Sequence, residues 1–327
     1  MTGWLAPLLA GRLVRLAWLL PVAAVGLFAL ISLAPIDPVQ AYVGGRTSQI
    51  GPEQRAAIAA VWGLDLPAPE RFASWLGQLL RGDLGQSISY NAPVAQVIAA
   101  RLPASLALIG TAFVASFVLG ALLGLVAGAT RGQWPDRLIR TVAVVLAASP
   151  GFWVAILLVS VFAVGLGWLP SCCAMPPGRL ASEVTLAERW HHMVLPVVTL
   201  SVVGIAPLVL HTRQSLIAFL DSPAAGHLAA HGASPLRLAF GPGLRHAAGV
   251  ALTLHLAGAG ELFGGSVLAE AVFAWPGLGQ ATVRAATGAD EPLLMGIGLA
   301  TLIFVFAGNL LADIAARLAD PRLRGQA

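Results

Sequence analysis

The chain has 327 residues, of which 57% are hydrophobic and 10% are charged, and its mean hydropathy is +0.82. Because a soluble domain carries about 25% charged residues, a soluble protein of this composition is excluded and the bilayer is expected to be the main solvent. All 19 basic residues are arginines scattered along the chain, which excludes a Walker A lysine, a Schiff-base lysine and a basic nucleic-acid patch, so any ATP that drives the protein must be hydrolysed by another chain.

Six segments are apolar over about 20 residues, the length that a membrane-crossing helix needs. They are Leu13–Leu33, Leu106–Ala129, Ile139–Gly165, Met193–His211, Ala247–Ala269 and Leu293–Ala312. We therefore predict an all-α polytopic membrane protein with about six transmembrane helices. The first segment is longer than the apolar core of a secretory signal, and Pro35 and Pro38 follow it instead of a small-residue cleavage site, so residues 1–34 are predicted to retain it as a span.

Residues 35–103 are predicted to form an extracytoplasmic insertion built from amphipathic pieces. Pro52 to Trp62 and Pro69 to Leu80 each begin with a proline, which suits the first turn of a helix. The sequence GDLG, Gly82 to Gly85, is typical of a turn. No internal repeat is evident, which weakens an inverted-repeat secondary transporter as an alternative.

The second span carries glycines at every fourth position, at Gly120, Gly124 and Gly128. Small residues at this spacing allow two helix backbones to approach closely. The pattern predicts a close helix contact, either within this chain or with a partner subunit.

Soft and borderline metal ligands occur together after the third span, at Cys172, Cys173, His191 and His192. Adjacent cysteines do not easily chelate one ion together, and no CxxC spacing is present. A vicinal disulfide or two free thiols is therefore favoured over a metal site, and neither a metal nor a cofactor is predicted.

The segment of residues 213–246 joins the fourth and fifth spans and contains strong helix signals. Ser234-Pro235 is typical of a helix start, and Gly232 suits the end of a preceding helix. Gly241-Pro242-Gly243 is expected to stop the second helix.

The second of these short helices has an apolar stripe formed by Leu236, Ala239 and Phe240, for which no span is available as a packing partner. Such a stripe favours a docking surface for another protein. An interfacial helix lying on lipid is the alternative.

Glu261 is an ionisable residue within the fifth span, where a charge is costly and usually faces a cavity or a partner. We interpret it as a translocation-path carboxylate that meets a cationic part of the solute, with a protonated acid bonded between helices as the alternative. His255 lies six residues earlier and on a different face of a regular helix, so helix packing is the interpretation that we favour for it.

The distribution of arginines predicts the orientation of the chain. One predicted side of the membrane has many arginines and only four acids, whereas residues 35–103 have similar numbers of each. Both termini, including a tail at residues 318–327, and the 213–246 segment are therefore predicted to face the cytoplasm. The protein is predicted to lie in the plasma (inner) membrane. The arginines of that side are Arg12, Arg15, Arg131, Arg137, Arg140, Arg213, Arg237, Arg245, Arg317, Arg322 and Arg324.

An ordered set of motifs over nearly the whole chain resembles the B-type permeases of the dipeptide, oligopeptide and nickel group of ATP-binding-cassette (ABC) importers. The 213–246 segment looks like the EAA loop through which these permeases couple to their ATPases, with Gly232 at its characteristic glycine. The other matching pieces are LAPIDPV (Leu33–Val39), GLDLPAPERFASWLGQLLRGDLGQS (Gly63–Ser87), Pro93-Val94, RLPASLAL (Arg101–Leu108), Ser149-Pro150, GWLP (Gly167–Pro170), AEAVFAWPGLGQ (Ala269–Gln280), Asn309, Asp313 and DPRLR (Asp320–Arg324).

The resemblance implies a permease subunit that has no enzymatic activity of its own. Its partners would be a second permease subunit, two cytoplasmic ATPase subunits and an extracytoplasmic solute-binding protein, and residues 104–317 would form the transmembrane domain. Peptide is the leading solute, with nickel or an opine-type metal chelate as the alternative. The residues implied for ATPase coupling are Gly226, Ala229, His231, Gly232, Leu236 and Phe240.

The resemblance also implies a structural role at the outer gate for Glu270, Pro276 and Gly277, with Glu270 capping a helix or pairing with an arginine. Trp275, between them, is interpreted as an ordinary aromatic residue of the membrane interface. The sequence departs from the family at Ile36, where a glycine is usual, and in the 213–246 segment, where Gly226, Ala229 and His231 occupy positions that are usually basic.

Two other functional classes compete with an importer subunit. An intramembrane enzyme is disfavoured because HExxH and Gly-x-Ser-x-Gly motifs are absent from the sequence. A stand-alone channel or secondary transporter would explain Glu261 but gives the 213–246 segment no purpose. Uptake that fails without ATPase subunits would separate these classes from the importer.

Overall fold

The computed structural model describes residues 4–34, 38–43, 51–63, 65–180 and 182–319. Part of the LAPIDPV motif, at residues 35–37, and most of the predicted tail, at residues 320–327, lie outside this part of the chain. Three of the described helices are long and apolar enough to cross a membrane. They are α1 (Leu5–Ser32), α5 (Val94–Ala129) and α14 (Glu291–Ala319).

Three bent pairs of helices are also long and apolar enough when each pair is taken together. The described chain therefore has up to six crossings if each pair is one span, which agrees with the number that the sequence predicts. The first, α6 (Trp134–Ala148) with α7 (Gly151–Leu158) and the π-helical segment Val159–Gly165, bends by 111° at Ser149-Pro150. The second, α8 (Leu186–Leu220), bends by 52° around residue 203. In a regular helix the ring of Pro207 would clash with the carbonyl of that residue, four positions earlier, and proline provides no N–H for it.

The third bent crossing has several parts. A helix of one turn, α10 (Pro235–Leu238), continues through the π-helical segment Ala239–Gly243 into α11 (Leu244–Ala257), and α12 (Ala259–Val272) follows after a 56° bend at Gly258. The prediction that Gly241-Pro242-Gly243 stops the helix is therefore wrong. A π-helical turn replaces the regular ladder that Pro242 would interrupt, and the chain stays helical into the membrane.

The remaining elements are short. They are α2 (Pro38–Val43), α3 (Pro52–Val61), α4 (Ala68–Leu80), the strands β1 (Gln86–Ser87) and β2 (Ala92–Pro93), which pair antiparallel, α9 (Pro223–Ala230) and α13 (Leu278–Thr287). The two predicted helices of the insertion thus correspond to α3 and α4. The predicted GDLG turn is present as well, since Gly82 and Gly85 both have positive φ angles and Asp83 accepts a hydrogen bond from the Gly85 amide.

The described chain divides into two compact units, of which one comprises residues 10–105 and 276–304. In this unit the aromatic residues Phe28 and Trp75 are buried with Met295 in one cluster. The β1–β2 hairpin is held by Asp290, a completely buried carboxylate that accepts hydrogen bonds from the Ser87 hydroxyl at 2.6 Å and the Ser89 amide at 2.7 Å. The insertion after the first span is therefore folded onto the start of α14.

The other unit comprises residues 4–9, 106–275 and 305–319, and it contains a close seam between α5 and α8. A Cβ atom added to Gly120, Gly124 or Gly128 would lie 2.8, 2.6 or 2.9 Å from a side-chain atom of α8. The glycines face Leu208, Thr212 and Leu216 in turn. The predicted close contact therefore exists within this chain, which settles the alternative that the sequence left open.

Candidate coupling segment and membrane cavity

The helix α9 is the central element of the 213–246 segment, and capping side chains define where it begins and ends. The Ser222 hydroxyl accepts a hydrogen bond from the Ala225 amide at 3.3 Å, and Pro223 occupies the first turn. Ala225 is the buried residue of the helix. The helix ends at Ala230, and Gly232 follows with a φ of +88°, the left-handed conformation that the sequence predicts for this glycine.

All six residues predicted to contact an ATPase are exposed in the structure: Gly226, Ala229, His231, Gly232, Leu236 and Phe240. A Cβ atom added to Gly226 or Gly232 would have no atom of another described residue within 4 Å. The surface of α9 and the turn that follows it is thus open to another molecule.

His231, at a position that is usually basic in the family, is held against the end of α9. Its Nδ1 lies 2.9 Å from the carbonyl oxygen of His227, and the two imidazole rings are 4.3 Å apart. Because the Nδ1 bonds to a carbonyl, it must carry the proton, which leaves Nε2 as the group that a docked partner would meet.

The apolar stripe after α9 is divided between the core and the surface. Leu236 and Phe240 are 67% and 47% exposed, whereas Ala239 is 1% exposed and packs with Leu216 and Ala247. The expectation that no span is available to bury the stripe is therefore wrong for Ala239, since the ends of α8 and α11 both cover it.

A partly buried ion pair close to the 213–246 segment is not predicted by the sequence. Arg213 on α8 donates from Nε to Asp136 Oδ1 at 2.6 Å and from Nη2 to Oδ2 at 2.8 Å, while the Gly132 amide donates to the same carboxylate at 2.8 Å. The Asp136 side chain is 2% exposed and that of Arg213 is 15% exposed. Such a bidentate pair fixes geometry, so it joins the turn between α5 and α6 to the second half of α8.

A second, exposed ion pair joins the same two regions. Arg131 donates from Nη1 to both carboxylate oxygens of Asp221, at 3.0 and 2.8 Å. Both side chains are more than half exposed. The distribution of charged residues predicts that these two residues lie on the same side of the membrane. The structure places them beside each other at the C-terminal end of α8.

A cavity of about 330 Å³ lies where α8 and the α11–α12 helix bend. Gly204 and Pro207 of α8 line one wall, and Gly258 lines the other. The titratable side chains in its wall are His211, His255 and Glu261.

The Glu261 carboxylate is exposed to this cavity and forms no hydrogen bond or ion pair with another described residue. Glu261 lies in the first turn of α12, three residues after the bend at Gly258. An unpaired carboxylate in the middle of a span costs roughly 2.5–3.5 kcal/mol on insertion scales. Water, a proton or a bound cation in the cavity would offset that cost.

His255 packs between helices, as the sequence interpretation favours, but it also reaches the Glu261 cavity. Its Nε2 lies 2.9 Å from the carbonyl oxygen of Phe113, and its ring lies 4.1 Å from that of Phe113 and 5.6 Å from that of Phe117. The prediction that His255 and Glu261 face different directions assumed a regular helix. The bend at Gly258 breaks that regularity, and both residues line one cavity.

Cys172 and Cys173 form a vicinal disulfide in the loop before α8, one of the two states that the sequence favours. The Cys173 amide donates to the carbonyl oxygen of Phe273 at 2.7 Å, and His192 Nδ1 lies 3.0 Å from the carbonyl oxygen of Cys172. This loop is therefore attached both to α8 and to the residue that follows α12. In the described part of the chain, no three His, Cys, Asp or Glu side chains lie close enough to hold a metal ion.

The residues predicted for the outer gate follow α12. Glu270 is completely buried, and its backbone carbonyl accepts a hydrogen bond from the Trp275 amide at 2.9 Å. Trp275 is only 3% exposed. Its interpretation as an interface residue is wrong, because the turn at Ala274, with a φ of +47°, directs the chain back and the indole becomes part of the core.

Pro276 and Gly277 lead into α13, and Gly277 is its extended N-cap residue. The first amide of that helix, at Leu278, donates to the Ser105 hydroxyl at 2.7 Å. Arg101 donates to the Gln280 side chain at 2.9 Å. Two residues of the RLPASLAL motif thus position the end of the AEAVFAWPGLGQ motif, a relation that spacing alone does not reveal.

Comparisons with known proteins give a family match and several similar chains. Residues 120–325 match the family model described as binding-protein-dependent transport system inner membrane component. The chain is 31% identical to a putative peptide permease protein of Brucella ovis over 91% of its length and 92% of that protein. It is also 31% identical to the oligopeptide transport system permease protein AppB of Bacillus subtilis (90% and 92% covered) and 30% identical to the di/tripeptide transport system permease protein DppB of Pseudomonas aeruginosa (91% and 93%).

A solved structure shares the fold. The inward-facing MetNI methionine ABC transporter contains a chain that superimposes with a TM-score of 0.54 at 18% sequence identity, covering 68% of the present chain and 96% of the other. At this identity the likeness concerns the fold alone.

Proposed function

We propose that this chain, which belongs to the family of binding-protein-dependent transport system inner membrane components, is the peptide permease subunit of an ATP-binding-cassette importer. Membership of the family makes the chain a multi-pass protein of the inner membrane. It also implies ATPase subunits, a partner permease and a binding protein in general. The assembly that we propose has one copy of this chain, a second permease, two ATPases and one binding protein.

Peptide is the solute that the relatives support. AppB and DppB are named for oligopeptides and for di- and tripeptides, and the protein of Brucella ovis for peptides. Nickel or an opine-type metal chelate remains the alternative that the resemblance implies, and only the solute of the separate binding protein distinguishes the two.

The observation that carries the proposal is the open surface formed by α9 and the residues that follow it to Phe240, where all six predicted coupling residues are exposed. A helix presented on an exposed turn fits a groove on a partner protein. In our proposal an ATPase subunit binds Gly226 and Ala229 of α9 together with the turn at His231 and Gly232.

The connections of α9 explain how a pull on it would reach the membrane. The helix α8 ends at Leu220, three residues before α9 begins, and α10 continues without interruption into α11. The ion pair of Arg213 with Asp136 stiffens the C-terminal end of α8. A displacement of α9 would therefore be transmitted to the bends at residue 203 and Gly258. Rocking of the helix halves about these bends would switch access to the Glu261 cavity.

The orientation follows from the same assignment. The ATPases are cytoplasmic, so the end of the molecule that carries α9 and the ion pairs Arg131–Asp221 and Arg213–Asp136 faces the cytoplasm. We propose that both termini lie on that side, and that the loop with the vicinal disulfide faces outward.

Reconstitution in liposomes of the two permeases, the two ATPases and the binding protein tests the proposal. Labelled tri-alanine should accumulate only with ATP and with every subunit present. Accumulation of nickel and not of tri-alanine would support the metal alternative, and uptake that persists without the ATPases would overturn the importer and favour a channel or secondary transporter.

A further inference from the structure

We infer that the Glu261 cavity is a binding site for a primary ammonium group, and that Glu261 recognises the N-terminal ammonium of the peptide as it passes through the membrane. The inference rests on the proposed function, because it assumes that the solute is a peptide. It assigns to one side chain a task that the coupling mechanism leaves unexplained.

The surroundings of the Glu261 carboxylate favour a cationic ligand. Glu261 is exposed to the cavity, and neither an arginine nor any other described residue pairs with it. A carboxylate placed at mid-span without a partner calls for a cationic ligand or a proton. An ammonium group needs one carboxylate, whereas a divalent metal ion needs several converging ligands.

The rest of the cavity wall is suited to binding a small ligand. His255 donates its Nε2 proton to the Phe113 carbonyl, so its other ring nitrogen is an acceptor in the neutral form. Leu208, Leu254 and Leu262 supply apolar surface. A few polar groups within a mostly apolar wall are typical of ligand sites, and 330 Å³ falls in the usual range of about 300–1,000 Å³.

The position of the cavity also suits a site on the path of the solute. The cavity lies at the bends of two spans, one at residue 203 of α8 and the other at Gly258. Sites at breaks in membrane helices change shape when the helix halves move. A ligand bound to Glu261 would therefore lie at the two bends about which we expect the helix halves to move during transport.

Every peptide with a free N-terminus carries an N-terminal ammonium group. Glu261 would therefore contribute affinity for peptides in general and would not distinguish them by their side chains. Sequence selection would then belong to the binding protein. An N-acetylated peptide lacks the ammonium and should pass more slowly, even when the binding protein is saturated with it.

The test uses the complete reconstituted importer and two probes, tri-alanine and N-acetyl-tri-alanine. The maximal uptake rate of each is measured at a concentration that titration shows to saturate the binding protein. The wild-type importer should move tri-alanine at least about tenfold faster, since a charge-assisted hydrogen bond typically contributes that factor or more. Glu261→Gln should bring the ratio of the two rates close to one, and Glu261→Asp should restore most of it.

The control is Glu183→Gln, which removes an exposed carboxylate from the loop before α8 and should leave the ratio unchanged. A Glu261→Gln importer that keeps the wild-type ratio would overturn the inference. An equal loss for both probes would also overturn it, because a purely structural role would not discriminate between them. If the wild-type importer moves neither probe, the proposed function fails instead.

Discussion

The 213–246 segment and the seam between α5 and α8 lie in the same compact unit but are built in opposite ways. At the seam, three glycines let the backbones approach so closely that an added Cβ would lie 2.6–2.9 Å from its neighbours. Around α9, the glycines Gly226 and Gly232 have nothing within 4 Å of an added Cβ. Glycine therefore allows close packing at the seam and leaves the surface accessible at α9, so substitutions should harm stability in the first region and transport in the second.

Gly232→Asp should have the largest functional effect, a complete loss of ATP-driven uptake with normal membrane insertion. The substitution adds a carboxylate to a surface that we propose the ATPase grips, at a φ of +88° where aspartate is tolerated better than most residues. Uptake by proteoliposomes and the amount of extracted permease are the two measurements.

Gly178→Asp is the matched control, because Gly178 has a φ of +81° and equally open surroundings but lies in the loop before α8. It should preserve uptake. Normal uptake by the Gly232→Asp importer would remove the assignment of the segment to ATPase docking.

Asp136→Asn should cause the largest loss of stability, about 3–5 kcal/mol, because it leaves the partly buried Arg213 guanidinium without its counter-charge. The temperature at which half of the solubilised permease stays monodisperse is the measurement. Asp221→Asn breaks the exposed pair with Arg131 and should cost no more than about 1 kcal/mol. Equal shifts of this temperature in the two variants would show that the Arg213–Asp136 pair does not stiffen the C-terminal end of α8.

Gly124→Ala should cost about 1–3 kcal/mol by overpacking, since the new methyl would meet Thr212 and the Val209 carbonyl of α8. Gly110→Ala on the same helix meets nothing within 4 Å and should be neutral or slightly stabilising. The same stability measurement compares them. A Gly124→Ala protein as stable as Gly110→Ala would mean that the seam is looser than the structure shows.

Local signals in the sequence were sufficient for much of this comparison. The cap at Ser234 and the left-handed Gly232 depend on a few neighbouring residues, and both are present in the structure. The glycine stripe of α5 was readable, but its partner was not, because the residues that fill it lie more than 80 positions further along the chain on α8.

The errors arose where packing overrides a local rule. Pro242 ordinarily ends a helix, yet a π-helical turn absorbs it while Gly243 fits against Leu216. The Glu261 cavity could not be foreseen because it depends on the bend at Gly258. The Arg213–Asp136 pair gave no signal, since the two residues are 77 positions apart and belong to different helices.

Labelling of an Ala229→Cys permease shows whether α9 is a cytoplasmic helix that an ATPase holds. Ala229 is exposed, and the native Cys172 and Cys173 are joined to each other, so a membrane-impermeant maleimide should report on position 229 alone. The reagent should label this residue only from the cytoplasmic face, and assembly with the ATPases should block the reaction. Labelling from the outer face, or equal labelling with and without the ATPases, would contradict it.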